Sequence, residues 1–162
     1  DKKNKVFKKI DIKDIAVSSM EMMRPMAIQK KVKLFIDSEP EEIFFNADPE
    51  TIEIIFNNLF SNAIKYNKDN GEVRCLIVEY PEMIIITVSD SGIGMTENDI
   101  SRLFQEFVRI KNEKTRKITG SGLGLSIIRK IVEDIYHGLI SVTSAPDKGT
   151  VFTIELPKIN RQ

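Results

Sequence analysis

The chain has 162 residues, of which 41% are hydrophobic, and this is enough for one compact domain with its own core. Basic and acidic residues are equal at 24 each, which argues against a nucleic-acid-binding surface or an acidic tail. The single cysteine, Cys75, excludes an internal disulfide and a cysteine-rich metal site, and its apolar surroundings in the sequence predict a small core residue. Without a signal peptide or an apolar run of about 18 residues, the domain is expected to be soluble, cytoplasmic and free of membrane contact. The sequence leaves open whether a longer parent protein is anchored in a membrane.

The first third of the chain predicts one long helix among short strands. Apolar residues at helical spacing predict a helix over residues 11–30, with a kink or irregular turn at Pro25. Alternating or apolar stretches predict strands at residues 6–10, 32–36 and 43–45. Asp48 followed by Pro49 predicts the N-cap and first position of a second helix, which continues to residue 66.

The remainder predicts a hairpin, two helices and two closing strands. A turn at Asn70-Gly71 leads into strand 72–79, and a second turn separates it from strand 83–89. Thr96 is predicted to cap a short helix. Residues 112–119 are polar, basic and without periodicity, which predicts a mobile loop, and a helix follows from residue 123 to about 135. With strands 139–143 and 150–156, the pattern indicates a two-layer α/β sandwich.

Four polar residues share one side of the second helix. Asn58, Asn62, Lys65 and Tyr66 lie at spacings of four, three and one. Asparagine is a poor helix former, so two on one face favour a site over the alternative, a solvated surface. Carboxamide oxygens can ligate a hard cation such as Mg²⁺, an ammonium can meet phosphate oxygens, and an aromatic ring can pack against a sugar or base.

The predicted strand 83–89 runs into Asp90-Ser91-Gly92-Ile93-Gly94, a candidate ligand site. The carboxylate of Asp90 can accept a hydrogen bond from a ligand donor, and each glycine lets the backbone pass close to that ligand. Taken alone, the same pattern also describes an ordinary polar loop.

A glycine-rich turn, Gly-Ser-Gly-Leu-Gly-Leu-Ser at residues 120–126, opens the last predicted helix. Free N–H groups at a helix start form an anion site suited to phosphates. The spacing is not that of a dinucleotide-binding turn, because Leu125 stands where the third glycine would be, and no P-loop or eukaryotic protein-kinase triplet occurs. The alternative, a glycine-rich linker, is weakened because the turn runs directly into a periodic helix.

Taken in order, these stretches resemble the ATP-binding catalytic domain of bacterial sensor histidine kinases, in the GHKL superfamily. Residues 58–66 resemble the N box, 90–95 the G1 box, 104–107 the F box and 120–125 the G2 box, and residues 148–157 resemble the closing strand. The resemblance covers nearly the whole chain. It implies the Bergerat fold, an α/β (α+β) two-layer sandwich whose mixed, mostly antiparallel sheet carries about three helices on one face. ATP would lie under a loop spanning residues 107–120.

The resemblance assigns roles at the adenine and metal end of the site. The carboxylate of Asp90 would accept from the adenine amino group, and Gly92 and Gly94 would let the backbone approach the base. Asn62, together with Asn58, would hold Mg²⁺ on the phosphates. The remaining residues around the nucleotide would be Tyr66, Ile93, Phe107 and Thr150.

At the phosphate end, the resemblance places Lys65 on a phosphate and Arg109 on the terminal phosphate. Backbone N–H groups of the glycine-rich turn would also bind phosphates, at Gly120, Gly122, Leu123, Gly124 and Leu125. The catalytic residues would be Asn58, Asn62, Lys65 and Arg109. The chemistry would be in-line phosphoryl transfer, in which the protein positions groups and stabilises charge.

The implied activity is transfer of the γ-phosphate of Mg-ATP to a histidine on a separate dimerisation domain. The chain is therefore expected to be a single catalytic domain over residues 1–162, with the phosphoacceptor domain upstream, a response regulator as downstream partner and a homodimeric parent. His137 is the only histidine here and is predicted to be a turn residue. The family's His-Gly-Gly turn is altered around it, with one glycine and a different spacing, so this turn is expected to differ locally.

Three alternatives remain open. A GHKL-type ATPase would place a glutamate one helical turn before the metal-binding asparagine, as a base for water, whereas this chain has the neutral Asn58 there. A nucleotide-binding pseudokinase would keep the same boxes without transferring phosphate. Anti-sigma-factor serine kinases share the fold but have a less developed F box.

Overall fold

The computed structural model describes residues 5–104 and 124–158. Along the chain the elements are β1 (Lys8–Asp11), α1 (Ile12–Lys30), β2 (Lys33–Glu39), β3 (Phe44–Ala47), α2 (Pro49–Lys65), β4 (Glu72–Glu79), β5 (Met83–Asp90), α3 (Glu97–Arg102), α4 (Gly124–Lys130), a π-helical segment (Ile131–Ile135), β6 (Leu139–Ser144) and β7 (Thr150–Pro157). Within these two ranges, none of the helices has the length and apolarity that a membrane span requires.

Five strands form the main sheet in the order β2-β4-β5-β7-β6. Among the described strands of this sheet, only the β2–β4 pair is parallel, and the other three pairs are antiparallel. The strands β1 and β3 form a separate antiparallel pair. The predicted mixed, mostly antiparallel sheet is therefore confirmed.

The sheet is covered by helices on one face. On β4 the side chains of Val73, Cys75 and Ile77 are buried, whereas Arg74 and Leu76 between them are exposed. This alternation follows from the two-residue period of a strand, and it places the core between the sheet and the helices α1, α2 and α4. The predicted two-layer sandwich is confirmed. So is the core position of Cys75, where burial raises the pKa of the thiol to about 12.

The helices α2 and α3 begin at the residues that the sequence predicts. Asp48 caps α2 by accepting a hydrogen bond from the Glu50 N–H at 3.0 Å, and Pro49 occupies the first turn. Thr96 and Asp99 form a reciprocal capping box at α3. The irregular turn expected at Pro25 is not found, since α1 continues through this exposed residue to Lys30.

The last helix changes type before it ends. After α4, the N–H of Tyr136 donates to the carbonyl of Ile131, five residues earlier, at 3.2 Å. A π-turn accommodates one more residue than an α-turn does, and it leads here directly into the altered turn. His137 follows with a left-handed φ of 55° and an exposed side chain. The position of His137 between the last helix and β6 is confirmed, whereas the local difference from the family's turn stays a prediction.

The side chain of Tyr136 ties this segment to the start of α2. Its ring is fully buried, and its hydroxyl oxygen accepts from the Asp48 N–H at 3.1 Å and lies 2.5 Å from Thr51 Oγ1. A buried hydroxyl needs such partners because it has lost its hydrogen bonds to water. Nothing in the sequence pattern indicates this contact between residues 88 positions apart.

We predict that Tyr136→Phe lowers the free energy of unfolding by about 1–2 kcal/mol, because it leaves buried partners at the N-terminus of α2 unsatisfied. Urea denaturation measures this loss. Tyr80→Phe makes the same change at a half-exposed position and should alter stability by less than about 0.5 kcal/mol. Equal effects of the two substitutions would contradict a structural role for the buried hydroxyl.

Candidate functional site

Asp90 lies at the end of β5, in the middle of the sheet. It pairs with Val73 of β4 on one side and with Thr150 of β7 on the other. Its side chain is half-buried, and Oδ1 accepts a hydrogen bond from the Gly92 N–H at 2.8 Å. Burial raises the pKa of Asp90 to about 6, although the backbone N–H groups of Gly92 and Thr150 partly oppose this by stabilising the carboxylate. The carboxylate is thus held by the backbone and is charged at neutral pH.

The loop after Asp90 is fixed against two other parts of the chain. The Ile93 N–H donates to the carbonyl of Tyr66 at the end of α2 at 3.0 Å. The Ile93 carbonyl accepts from the Asp147 N–H at 2.7 Å, and the Met95 N–H donates to Ser144 Oγ at 2.8 Å. These bonds join α2, the loop and the β6–β7 connection at one place.

Gly92 and Gly94 make this packing possible. A Cβ on Gly92 would collide with the Tyr66 carbonyl oxygen, and a Cβ on Gly94 would collide with that of Ala145. Gly94 also has a φ of 68°, which side chains rarely tolerate. The sequence predicts that both glycines let the backbone approach a ligand. In the structure, a side chain at either glycine would first meet backbone atoms of the protein itself.

The end of the polar side of α2 lies next to this loop. Asn58, Asn62, Lys65 and Tyr66 are all half-buried. Within residues 5–104 and 124–158, the side chains of Asn62, Lys65 and Tyr66 form no hydrogen bond or ion pair. A row of half-buried polar groups without partners among the described residues is available to a polar ligand.

Asn58 is placed differently from its neighbours on the helix. Its Nδ2 donates to the Ile54 carbonyl, one turn earlier, at 2.8 Å. Its Oδ1 lies against Gly124, where an added Cβ would come within 2.5 Å of that oxygen. The start of α4, which includes Gly124 and the half-buried Leu125, is thereby packed on the polar side of α2.

Thr150 is brought to Asp90 by the pairing of β5 with β7. It is buried, and its Oγ1 lies 2.9 Å from Ser144 Oγ. Ser144 also donates to the Gly149 carbonyl at 2.8 Å and accepts from Met95, so it connects both sides of the loop. Sequence reasoning misses Ser144 because one serine in a strand rich in hydroxyl side chains carries no distinguishing signal.

Several predicted residues lie outside the described ranges: Phe107, Arg109, Gly120, Gly122, Leu123 and the predicted mobile loop 112–119. Of the F box, Phe104 is described, and the Arg129 guanidinium of α4 lies over its ring at 5.9 Å from the centroid. This contact joins the end of the α3 region to α4.

The oxygen atoms on the polar side of α2 suit a hard cation that takes most of its coordination from a bound nucleotide and water. Among the described residues, no three histidine, cysteine, aspartate or glutamate side chains are grouped so as to hold a metal ion. On the polar side of α2, the two asparagines Asn58 and Asn62 offer carboxamide oxygens. Mg²⁺ commonly takes only one or two protein oxygens together with waters and substrate phosphates, so these residues fit such an ion when it arrives with a nucleotide.

Comparison with known proteins identifies close similarity to sensor kinases. The chain is 41% identical over 134 residues to the sensor histidine kinase TmoS of Ectopseudomonas mendocina, which covers 82% of this chain and 14% of that protein. It is 32% identical over 146 residues to the sensor histidine kinase RppB of Synechocystis sp., which covers 90% of this chain and 32% of that protein. The chain therefore spans less than a third of the length of either relative.

Solved structures share the fold. The nucleotide-free catalytic domain of histidine kinase ThkA superposes with a TM-score of 0.83 at 25% identity, over 94% of this chain and 98% of that chain. Full-length ShkA in complex with AMPPNP has a TM-score of 0.83 at 22% identity, over 99% of this chain and 33% of that chain, and at this identity it supports the fold alone. Residues 47–160 match the family model described as histidine kinase-, DNA gyrase B- and HSP90-like ATPase. The chain belongs to this family; the two relatives named above are sensor histidine kinases, and the ThkA structure is the catalytic domain of a histidine kinase.

Proposed function

We propose that this domain binds Mg-ATP and transfers its γ-phosphate to a histidine on a separate dimerisation domain. One observation carries the proposal: the hydrogen bond between Ile93 and the Tyr66 carbonyl brings the Asp90 loop to the end of the polar side of α2. A base-reading carboxylate and a set of phosphate- and metal-binding groups then border one site. The similarity to sensor histidine kinases supports the same activity.

At the adenine end, Asp90 recognises the base. Its carboxylate offers only acceptors above a pH of about 6, and the exocyclic amino group of adenine is a donor. Ile93 and Thr150 flank Asp90, on the loop and on β7. Tyr66 supplies a ring beside the nucleotide, as the sequence resemblance implies.

At the phosphate end, Asn62 and Asn58 would hold the magnesium ion, and Lys65 would contact a phosphate. The ion would neutralise phosphate charge and help position the transferred group. The chain's own contribution is to place these groups on one helix side, with Gly124 and Leu125 packed against it at the start of α4. The proposed phosphate contacts of Arg109, Gly120, Gly122 and Leu123, and the place of Phe107, rest on the sequence resemblance.

Asn58 favours kinase over ATPase among the alternatives. A hydrolase needs a base to activate water, and the amide of Asn58 is neutral, with its nitrogen already bonded to the Ile54 carbonyl. A pseudokinase that binds nucleotide without transfer differs from a kinase only in the reaction, so the experiment below separates them.

We propose that residues 1–162 act as one catalytic module in a longer homodimeric protein. Its direct partner would be its own dimerisation domain, and a response regulator would then take the phosphoryl group. Histidine kinase ThkA has been solved in complex with the response regulator TrrA, at 24% identity to this chain. Because the reaction consumes ATP, the module would work in the cytoplasm.

We predict that ADP affinity falls as the pH is lowered through about 6. The burial-raised pKa of Asp90 means that acidification protonates the carboxylate in that range, and a protonated carboxyl offers the adenine amino group a poorer acceptor. The charged group is present above this pH, so binding is strongest there. Calorimetry with ADP from pH 5 to 8 measures the effect.

Asp90→Asn should lower ADP affinity about ten- to a hundred-fold at pH 7.5, because a charge-assisted hydrogen bond is lost. The nucleotide's own phosphate also titrates near pH 6, so any pH dependence of ADP affinity that remains in Asp90→Asn comes from the nucleotide. The difference between the pH dependences of the wild type and the variant is the contribution of Asp90. Asp134→Asn, at an exposed position, should behave as wild type. Equal ADP affinity in the Asp90→Asn and wild-type proteins would remove Asp90 from the site.

We predict that the isolated chain, incubated with labelled Mg-ATP, acquires no stable phosphoryl group. Mixed with its own dimerisation domain, it should label a histidine there, slowly, because the missing covalent link lowers the effective concentration. Asn62→Ala should abolish this transfer by removing a magnesium ligand. Asn58→Glu tests whether a base at that position raises ATP hydrolysis.

The control for Asn62→Ala is Asn98→Ala, the same change at an exposed position in α3, which should transfer at the wild-type rate. Label on His137 of the isolated chain would contradict an acceptor on another domain. Tight ATP binding with neither transfer nor hydrolysis would favour the pseudokinase.

A further inference from the structure

A partly buried hydrogen-bond cluster joins the start of the Asp90 loop to the end of α2 and the start of β4. It consists of Asn67, which follows the end of α2, Gly71 and Glu72 at the start of β4, and Ser91, which follows Asp90. Asn67 is 4% exposed, and its functional role is not apparent from any motif in the sequence. We refer to the hydrogen bond between the side chains of Asn67 and Ser91 as the Asn67–Ser91 contact.

Both ends of the Asn67 carboxamide are engaged. Its Oδ1 accepts from the Lys68 N–H at 2.9 Å and from Ser91 Oγ at 3.1 Å. Its Nδ2 donates to the Glu72 carbonyl at 3.0 Å. A buried polar cluster with all its members paired is rigid, because any movement would leave a polar group unpaired away from water.

Ser91 is held from its other side by β4. Its Oγ accepts from the Glu72 N–H at 2.8 Å, and its own N–H donates to the Glu72 carbonyl at 3.2 Å. Gly71 leaves the space for this arrangement, since an added Cβ would collide with Asn67 Oδ1 and come within 2.7 Å of Ser91 Oγ. The contact is therefore built into the junction of three chain segments.

The loop is consequently fixed to two consecutive residues of the chain. Asn67 holds Ser91 through its side chain, and Tyr66 holds Ile93 through its carbonyl oxygen. Asp90 immediately precedes this fixed stretch, and its Oδ1 is bonded to the Gly92 N–H within it. The direction in which the carboxylate points thus depends on where Ser91 and Gly92 are held.

We infer that Asn67 and Ser91 are positioning residues that set how strictly Asp90 selects adenine over other purines. The inference rests on the proposed function, in which Asp90 reads the adenine amino group. Hydrogen bonds weaken steeply with poor distance or angle, so a carboxylate that moves loses its preference for a donor at one place on the base. Hypoxanthine presents an acceptor oxygen where adenine presents the amino group, and an N1–H donor where adenine presents the acceptor N1. The ratio of the two affinities therefore reports on recognition of this edge of the base.

The test compares affinities for ADP and inosine diphosphate, measured by calorimetry with Mg²⁺ at pH 7.5. The wild type should prefer ADP. Ser91→Ala and Asn67→Ala should each reduce the ratio of the two affinities about three- to ten-fold, the range expected for one buried hydrogen bond. The loss should fall on ADP and not on inosine diphosphate. Ser89→Ala, two residues earlier at the exposed side of β5, should leave the ratio unchanged.

A purely structural role predicts a different result. If Ser91→Ala lowers the melting temperature but keeps the wild-type ratio, the inference is wrong while the proposed function stands. Should Asn67→Ala fail to fold, the ratio for Ser91→Ala alone decides. A wild-type chain that binds neither nucleotide would overturn the proposed function together with this inference.

Discussion

The hydrogen bond from the Ile93 N–H to the Tyr66 carbonyl is the contact on which the candidate site depends. A carbonyl at a helix end has no partner within its helix, so it is free to accept from another segment. Here the C-terminal end of α2 accepts from the loop that follows β5. β5 is central in the sheet, and α2 lies on the covered face of that sheet. This one bond therefore fixes the position of α2 relative to β5. The polar side of α2 and the Asp90 carboxylate become neighbours as a result.

Asp90 illustrates a conflict between stability and binding. Burial raises its pKa to about 6, so between the ordinary aspartate pKa of 3.8 and this value the folded state binds more protons than the unfolded state. The free energy of unfolding therefore decreases as the pH rises from 3.8 to about 6. Above a pH of about 6 the buried carboxylate is charged and destabilises the folded state. In the proposed function the adenine amino group would supply a donor to this carboxylate, and the bonds from the Gly92 and Thr150 N–H groups hold the carboxylate in place.

The α4 region is attached to α2 at both of its ends. Gly124 packs on Asn58, and Tyr136 reaches Asp48 and Thr51 at the start of the same helix. The π-helical segment ends directly before the buried Tyr136, and His137 then has a left-handed φ before β6. The sequence resemblance anticipates that this turn is unusual. It does not anticipate the buried hydroxyl, because a tyrosine in an apolar stripe has the same pattern whether or not its hydroxyl finds a partner.

The sequence by itself determined the elements and the residue types of the site. Strand alternation, the Asp48-Pro49 start of α2 and the spacing of Asn58, Asn62 and Lys65 are local properties, since they follow from the periods of strands and helices and from capping chemistry. Only the tertiary structure decided that the Tyr66 carbonyl receives Ile93, that Asn67 holds Ser91, and that Ser144 joins the loop to β7. Main-chain atoms are the same in every residue, Asn67 and Ser91 lie 24 positions apart, and Met95 and Ser144 lie 49 positions apart. Such contacts exist only once the sheet register has brought those segments together, so no local pattern could encode them.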